Sequence, residues 1–204
     1  KRQTHRHLSK YRNRIMLKIK NVSAKNFMSV GNNTQAVNFD GCQLTLVLGH
    51  NLDMGGDGSR NGTGKTTIIN ALSYALYGDA LTNIRKDNLI NKTNGKGMIV
   101  TVDFEIHGIQ YRIERGRRPN LLKFYIDGED ALDQEQQGDS RETQKEIERI
   151  IGFPHYMFKH LIALNTYTEP FLSMKNNDQR DMIEQLLGIT ELSRKAEVLK
   201  ERQG

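Results

Sequence analysis

Asn61-Gly62-Thr63-Gly64-Lys65-Thr66-Thr67 is the stretch that decides the fold. An apolar run, Gln43-Leu44-Thr45-Leu46-Val47-Leu48, precedes it and reads as a buried strand. Behind it Ile68, Ile69, Leu72, Ala75 and Leu76 recur at helical spacing over 65–77, with Gly78 as the stop. Strand, glycine loop and helix in that order are the setting of a phosphate-binding loop; an ordinary turn before a helix is the plainer alternative. Gly62 and Gly64 let the backbone curl so that successive N–H groups face phosphate oxygens. The helix that begins there adds the positive end of its dipole. Lys65 reaches the β- and γ-phosphates and is the candidate catalytic residue, and the Thr66 hydroxyl suits Mg²⁺. The candidate nucleotide contacts in this loop are Asn61, Gly62, Thr63, Gly64, Lys65, Thr66 and Thr67.

The spacing departs from the common G-x-x-x-x-G-K-[ST] pattern, whose first glycine would fall at Ser59. The apolar run ends instead at Gly49, and Leu52–Arg60, with Gly55, Gly56 and Gly58, reads as an insertion between strand and cradle. It is either a tolerated surface loop or a segment that orders when nucleotide or a partner arrives.

Outward from the loop, Leu17, Ile19 and Val22 stand among polar residues as an opening strand, and Val30-Gly31-Asn32-Asn33 reads as a turn. Met98–Ile106, Tyr111–Arg115 and Leu122–Ile126 form a β-rich section, broken by His107-Gly108 and Asp127-Gly128 as tight hairpins. The last third is helical. Asp139 and Glu142 stand at capping-box spacing ahead of Ile147, Ile150 and Ile151, with Gly152 as the end. Pro154 opens a helix to about Leu164, and Asp178–Leu187 carries Met182, Ile183, Leu186 and Leu187 on one side. Thr190 starts a charged helix in which Leu192, Ala196 and Leu199 make a single heptad.

The chain has 204 residues, 36% hydrophobic and 26% charged, enough for one generous domain. It holds no run of roughly 18 apolar residues such as a bilayer crossing needs. One cysteine excludes an internal disulfide framework and a multi-thiolate zinc site. The net charge of +6 belongs to the first fifteen residues, where Lys1, Arg2, Arg6, Lys10, Arg12 and Arg14 face no acid; 16–204 balance 24 basic against 24 acidic side chains. Residues 1–15 read as a basic extension, disordered or non-native, ahead of a plausible start at Met16, or as a grip on nucleic acid.

Several stretches together resemble the SMC-like branch of ABC ATPase heads. They are the opening strand over 16–31, the helix Ile68-Ile69-Asn70-Ala71-Leu72-Ser73-Tyr74-Ala75-Leu76-Tyr77-Gly78, the tripeptide Leu89-Ile90-Asn91, the hairpins at 98–126, and Asp178-Gln179-Arg180 leading to Leu186-Leu187-Gly188. Within that branch the chain is most similar to ATP-binding subunits of phage recombination exonucleases and SbcC-like double-strand-break repair ATPases. The resemblance implies an α/β P-loop NTPase: a head lobe with a mixed sheet around the loop helix, an antiparallel β layer, and a helical section leading to a coiled coil. It places this amino-terminal lobe over 16–189 and the start of the coil over 190–204. It implies ATP and Mg²⁺ as ligands and a carboxy-terminal ATPase lobe that brings the signature and acidic motifs. It also implies a second copy of the head, a separate nuclease subunit of the SbcD type, double-stranded DNA ends, and a cytoplasmic setting (the host cytoplasm for a phage protein). Asn165 would take the place of the glutamine that senses Mg²⁺ and the attacking water, and Lys25 and Asn26 would flank adenine or ribose, with Phe27 either beside them or in the core. Met28 occupies the position where an arginine often meets the phosphates.

Competing features are weaker. Ile99-Val100-Thr101-Val102-Asp103 mimics an acidic motif but continues as an amphipathic strand through Phe104 and Glu105. Arg115, Arg117 and Arg118, with Arg112 and Lys123 nearby, are candidate DNA-phosphate contacts, or else a solvated face. No carboxylate cluster suits two nuclease metals, so the chain reads as an ATPase component and not as the nuclease. A DNA-organising clamp of the SMC or RecN kind, a transporter-type ABC subunit and a metabolite kinase remain as alternatives.

Overall fold

A computed structural model describes residues 17–41, 44–49, 63–131, 140–164 and 169–187. Within it a six-stranded sheet runs in the order β2-β1-β3-β4-β5-β6, every neighbouring pair antiparallel. The strands are β1 Leu17–Lys25, β2 Gln35–Asn38, β3 Met98–Ile106, β4 Ile109–Arg117, β5 Leu121–Ile126 and β6 Glu129–Asp130. Alternation makes the sheet two-faced. On β3, Met98, Val100, Val102, Phe104 and Ile106 are buried, while Ile99, Thr101, Asp103 and Glu105 take the other face. Phe104, Tyr111 and Phe124 continue the apolar row across β3, β4 and β5, their rings stacked at centroid distances of 5.1 and 5.9 Å.

The expected hairpins are present, with strands longer at their ends than the sequence suggests. His107 and Gly108 have φ of 53° and 83°, and Asp127 and Gly128 have 49° and 87°. Two successive left-handed residues make the tight turn whose twist suits adjoining antiparallel strands.

Helix α1, Lys65–Tyr77, lies on the apolar face against β1, β3 and β4 and buries Ala71, Tyr74, Ala75 and Leu76. Gly78 ends it, at φ 75°, with its N–H on Tyr74 O at 2.8 Å. Helix α2, Ser140–Ile151, buries Thr143, Ile147 and Ile151, spaced four apart so that one stripe meets α1 and β5. Gly152 closes it at φ 83° with an N–H bond to Glu148 O. Asp139 of the expected capping box lies outside the described residues.

One expectation is corrected. Leu44–Gly49 makes no strand ladder among the described residues, and Leu44, Leu46 and Leu48 are 91, 79 and 67% exposed. An apolar run becomes a buried strand only if neighbours pair with it on both edges, and the described sheet offers it none. The described sheet is antiparallel throughout, the antiparallel layer expected of the head lobe.

The chain divides after Gly152 into two compact units. In the second, Pro154 precedes a short helical turn, His155–Met157, that widens into a π-helical turn, Phe158–Ile162, closed by Ala163 N–H on Phe158 O at 2.8 Å. The expected regular helix to Leu164 is therefore shorter and wider. Helix α3, Asn176–Leu186, follows, its first turn tied to the preceding chain by Gln179 Nε2, which donates to Phe171 O and Met174 O. Of the four apolar residues expected on one covered side, only Met182 is buried; Ile183, Leu186 and Leu187 are 44–64% exposed. The helix is too short for more than one of the four to meet the rest of its unit. Residues 188–204 lie outside the described residues.

Candidate functional site

The phosphate-loop helix starts at Lys65, and Gly64 before it has φ 83° and ψ 8°. A left-handed residue at this point turns the chain sharply into the helix, and glycine does so without a Cβ clash. Thr67 N–H closes the turn on Gly64 O at 3.0 Å. The first turn of α1 holds no acidic side chain, so its positive end is left to an outside anion. Lys65 Nζ donates to Thr63 Oγ1 at 3.2 Å, which keeps the ammonium folded over the loop. Thr66 is exposed, and its carbonyl accepts from Asn70 Nδ2 at 3.0 Å.

Gly49 comes back to this loop through space. A Cβ on Gly49 would sit 1.8 Å from Thr63 Oγ1, so the threonine occupies the room that the glycine leaves. The end of the apolar run therefore abuts the cradle although 50–62 separate them in sequence, as an insertion between strand and loop requires. Asn61, Gly62 and the 52–60 segment lie outside the described residues, as does Asn165.

Beside the loop is a cavity of about 480 Å³ between α1 and the β1–β2 pair. Val22, Ala24 and Ala71 are among its apolar walls, and Ser29, Gln35 and Thr67 supply polar groups. Small wall side chains leave the space open, and its edge at Thr63 and Gly64 is continuous with the loop.

The expected flanking residues divide. Lys25 ends β1, half-buried and paired in register with Ile99, outside the cavity's lining. Asn26 is buried, at 4% exposure, and its amide is spent on the protein: Nδ2 donates to Lys96 O at 3.0 Å and Gly97 O at 3.2 Å, and Oδ1 accepts from Asn94 Nδ2 at 2.7 Å. Its backbone, at φ 51°, bonds Gly31 O and Asn91 N–H. Asn26 is thus a knot between two loops, 26–32 and 91–97, with its side-chain amide committed to the protein. Phe27 is fully buried, 5.8 Å from the Tyr74 ring, and belongs to the core.

The arginine patch is corrected too. Arg115 turns inward: Nε donates to Ala75 O at 3.1 Å, the terminal nitrogen meets Gln144 Oε1 at 2.5 Å, and the guanidinium lies 6.0 Å from the Tyr74 ring centroid. Burial pushes it down to about 10, so it stays charged at neutral pH while it caps the carbonyl end of α1. Arg117 Nε binds Asp87 Oδ1 at 2.7 Å, which holds that carboxyl below its ordinary range, and Arg118 stands 3.8 Å from the same oxygen. Arg112 pairs with Asp103, and Lys123 lies opposite Glu114 across β4 and β5. The basic run of the sequence is therefore partnered in the fold.

Sequence patterning missed Ser29, whose hydroxyl lies 3.0 Å from Thr67 Oγ1. No periodicity or motif joins positions so far apart in the chain.

The chain is similar to several known proteins. Over 178 residues the chain is 33% identical to exonuclease subunit 2 of Escherichia phage RB69, covering 86% of this chain and 29% of that protein, with the same figures for the subunit of Enterobacteria phage T4. It is 28% identical over 182 residues to a DNA double-strand break repair Rad50 ATPase of Methanococcus maripaludis, 88% of this chain and 16% of that one. The chain thus spans well under a third of the length of these relatives. An Smc head domain of Pyrococcus furiosus, solved with an extended coiled coil and bound to the C-terminal domain of ScpA, superposes with a TM-score of 0.55 at 18% identity, over 91% of this chain and 46% of that one. A structure solved in work on ATP-driven dimerization and DNA-stimulated activation of SMC ATPases gives 0.53 at 17%, over 83% and 99%. At those identities the likeness is one of fold. The family described as AAA domain matches residues 21–203, and the chain belongs to it, with the fold of an SMC-like ABC ATPase head.

Proposed function

We propose that this chain is the phosphate-binding lobe of an ATPase that controls a DNA recombination or repair nuclease. One observation carries the reading. Gly64 turns the chain into a helix whose first turn has no acidic group, Lys65 folds over that turn, and a cavity opens beside it. The relatives, an exonuclease subunit and double-strand-break repair ATPases, supply the biological direction.

In this reading Asn61–Thr67 hold the triphosphate, and Lys65 supplies counter-charge to the β- and γ-phosphates as negative charge shifts there. Thr66 offers Mg²⁺ a neutral oxygen of the kind that hard cation takes, and Asn165 a second; bound there, the ion would neutralise phosphate oxygens. Lys25 remains a candidate neighbour of the sugar or base. The signature motif and general base belong to a carboxy-terminal lobe, whose strands would cover the exposed Leu44–Leu48 run, and two heads would close on two nucleotides. Cutting of DNA ends falls to a partner nuclease of the SbcD type, in the cytoplasm. The chain's own part is to turn nucleotide state into head closure.

Calorimetry with MgATP on the full-length polypeptide tests this. The parent should bind, and Lys65→Ala should bind about 10- to 100-fold more weakly, the loss of a charge-assisted contact, with turnover abolished. Equal affinity in parent and variant would remove the proposal. A pull-down with a nuclease separates this reading from a clamp without one.

A further inference from the structure

Ser29 stands on a rigid platform at the edge of the cavity. Met28 before it has φ 49°; its N–H is held by Leu89 O at 2.7 Å and its carbonyl by Asn91 Nδ2 at 3.0 Å. Val30 N–H after it bonds Phe27 O at 2.8 Å. The Ser29 side chain is exposed, yet its Oγ lies 3.0 Å from the Oγ1 of Thr67, which is only 7% exposed. Both residues line the cavity together with Thr63 and Gly64, and the position a Gly64 Cβ would take is 3.5 Å from Ser29 Oγ.

A hydroxyl has one proton to give and two lone pairs. Two hydroxyls that share one hydrogen bond consume one proton and leave the other. Neither Ser29 nor Thr67 has a further side-chain hydrogen bond among the described residues, so one O–H remains to donate. It sits where the helix end, the Gly64 turn and the Lys65 ammonium all favour an anion. We infer that Ser29 is a positioning residue for nucleotide binding: its O–H donates to Thr67 Oγ1 and holds the Thr67 O–H on a phosphate oxygen. That order of donors makes each bond polarise the next, and an anion at the end gains most from the chain. The clamped backbone at Met28 means that little ordering is left to be done when the ligand arrives. The inference rests on the reading of 63–67 as a phosphate cradle.

The test is a double-mutant cycle in the full-length polypeptide, read by calorimetry with MgATP and with MgADP, and by the melting temperature without nucleotide. Ser29→Ala should weaken both nucleotides about three- to tenfold, the loss of one hydrogen bond, with the nucleotide-free melting temperature unchanged. Ser29→Thr, which keeps the hydroxyl and adds a methyl on the open side, should stay within about twofold of the parent. Thr67→Val should cost about tenfold or more, and Ser29→Ala on top of it nothing further, because the two act as one unit. The inference is overturned if Ser29→Ala binds like the parent, if Ser29→Thr loses as much as Ser29→Ala, or if the two losses multiply. A parent that gives no heat with MgATP, or a Lys65→Ala variant that binds as the parent does, removes the cradle reading itself and this inference with it; the results above leave the cradle standing.

Discussion

Arg115 is where sequence and fold part most clearly at the level of single residues. In the chain it belongs to a cluster with Arg117 and Arg118; in space it leaves them, because its side chain, on the face of β4 that also carries Tyr111 and Ile113, reaches in to α1, while Arg117 and Arg118 turn to Asp87. There its guanidinium binds a carbonyl at the end of α1 and the amide of Gln144, which in turn donates to Leu76 O and Glu148. Its pKa, lowered by burial to about 10, has a definite consequence. The unfolded chain binds this proton more tightly only above pH 10, so around neutrality the group adds no pH dependence and is simply a buried charge. Arg115→Ala should therefore cost about 2–3 kcal/mol, since it leaves Ala75 O and Gln144 Oε1 without their donor. DNA affinity and its salt slope should not move. Filter binding across a salt series decides: a slope smaller by about one would make Arg115 a phosphate contact after all. Asn26 teaches the same lesson, since neither its two-loop knot nor the Ser29–Thr67 pair follows from periodicity. Both join segments whose proximity is created by the fold.

Among the elements, those whose determinants are local were legible. The β3–β4 and β5–β6 hairpins could be read because the pairs His107-Gly108 and Asp127-Gly128 sit inside a few consecutive residues, and period-two burial marks β3 and β4 beside them. Helix α1 was legible from its spacing and from Gly78. Leu44–Leu48 was half legible: an apolar run declares that it needs cover but does not say what provides it. With Leu44 at 91% and Leu46 at 79% exposure, water meets a surface that the hydrophobic effect disfavours at roughly 25 cal/mol per Å². The proposed second lobe makes this a measurable statement. Hydrogen exchange should find the amides of 44–48 strongly protected in the full-length polypeptide, where strands pair with both edges, and fast in the 204-residue chain alone. Fast exchange in both would mean that the run is never built into a sheet, and the two-lobe assembly would lose its physical basis.

Across the sheet and helices of the described residues, much of the charge is arranged as local pairs. The solvent face of the sheet carries Lys20 on Glu105 at 2.9 Å and Arg112 on Asp103 at 2.6 Å; Arg117 on Asp87 and Arg149 on Glu146 extend the pattern to the loops and α2. A surface so neutralised gives DNA little to be drawn to, so in the proposed assembly DNA contact falls to other surfaces. The same pairs predict how the fold responds to acid. Asp87, Glu105 and Glu146 all titrate below their ordinary values, each chiefly through a hydrogen bond from its cationic partner. A carboxylate with a depressed folded pKa stabilises the fold above its unfolded value, here 3.8 for Asp and 4.5 for Glu, and that contribution is lost as pH falls through the folded value. Urea midpoints should thus hold steady from pH 7 to 5 and fall below about 4.5, and because the pairs are exposed, the fall should be smaller in high salt. Asp87→Asn should flatten part of the acid limb while its midpoint at pH 7 drops only slightly. A midpoint indifferent to pH down to 3 would mean that these contacts carry no net stability, and the stacked core of Phe104, Tyr111 and Phe124 would then have to hold the sheet unaided.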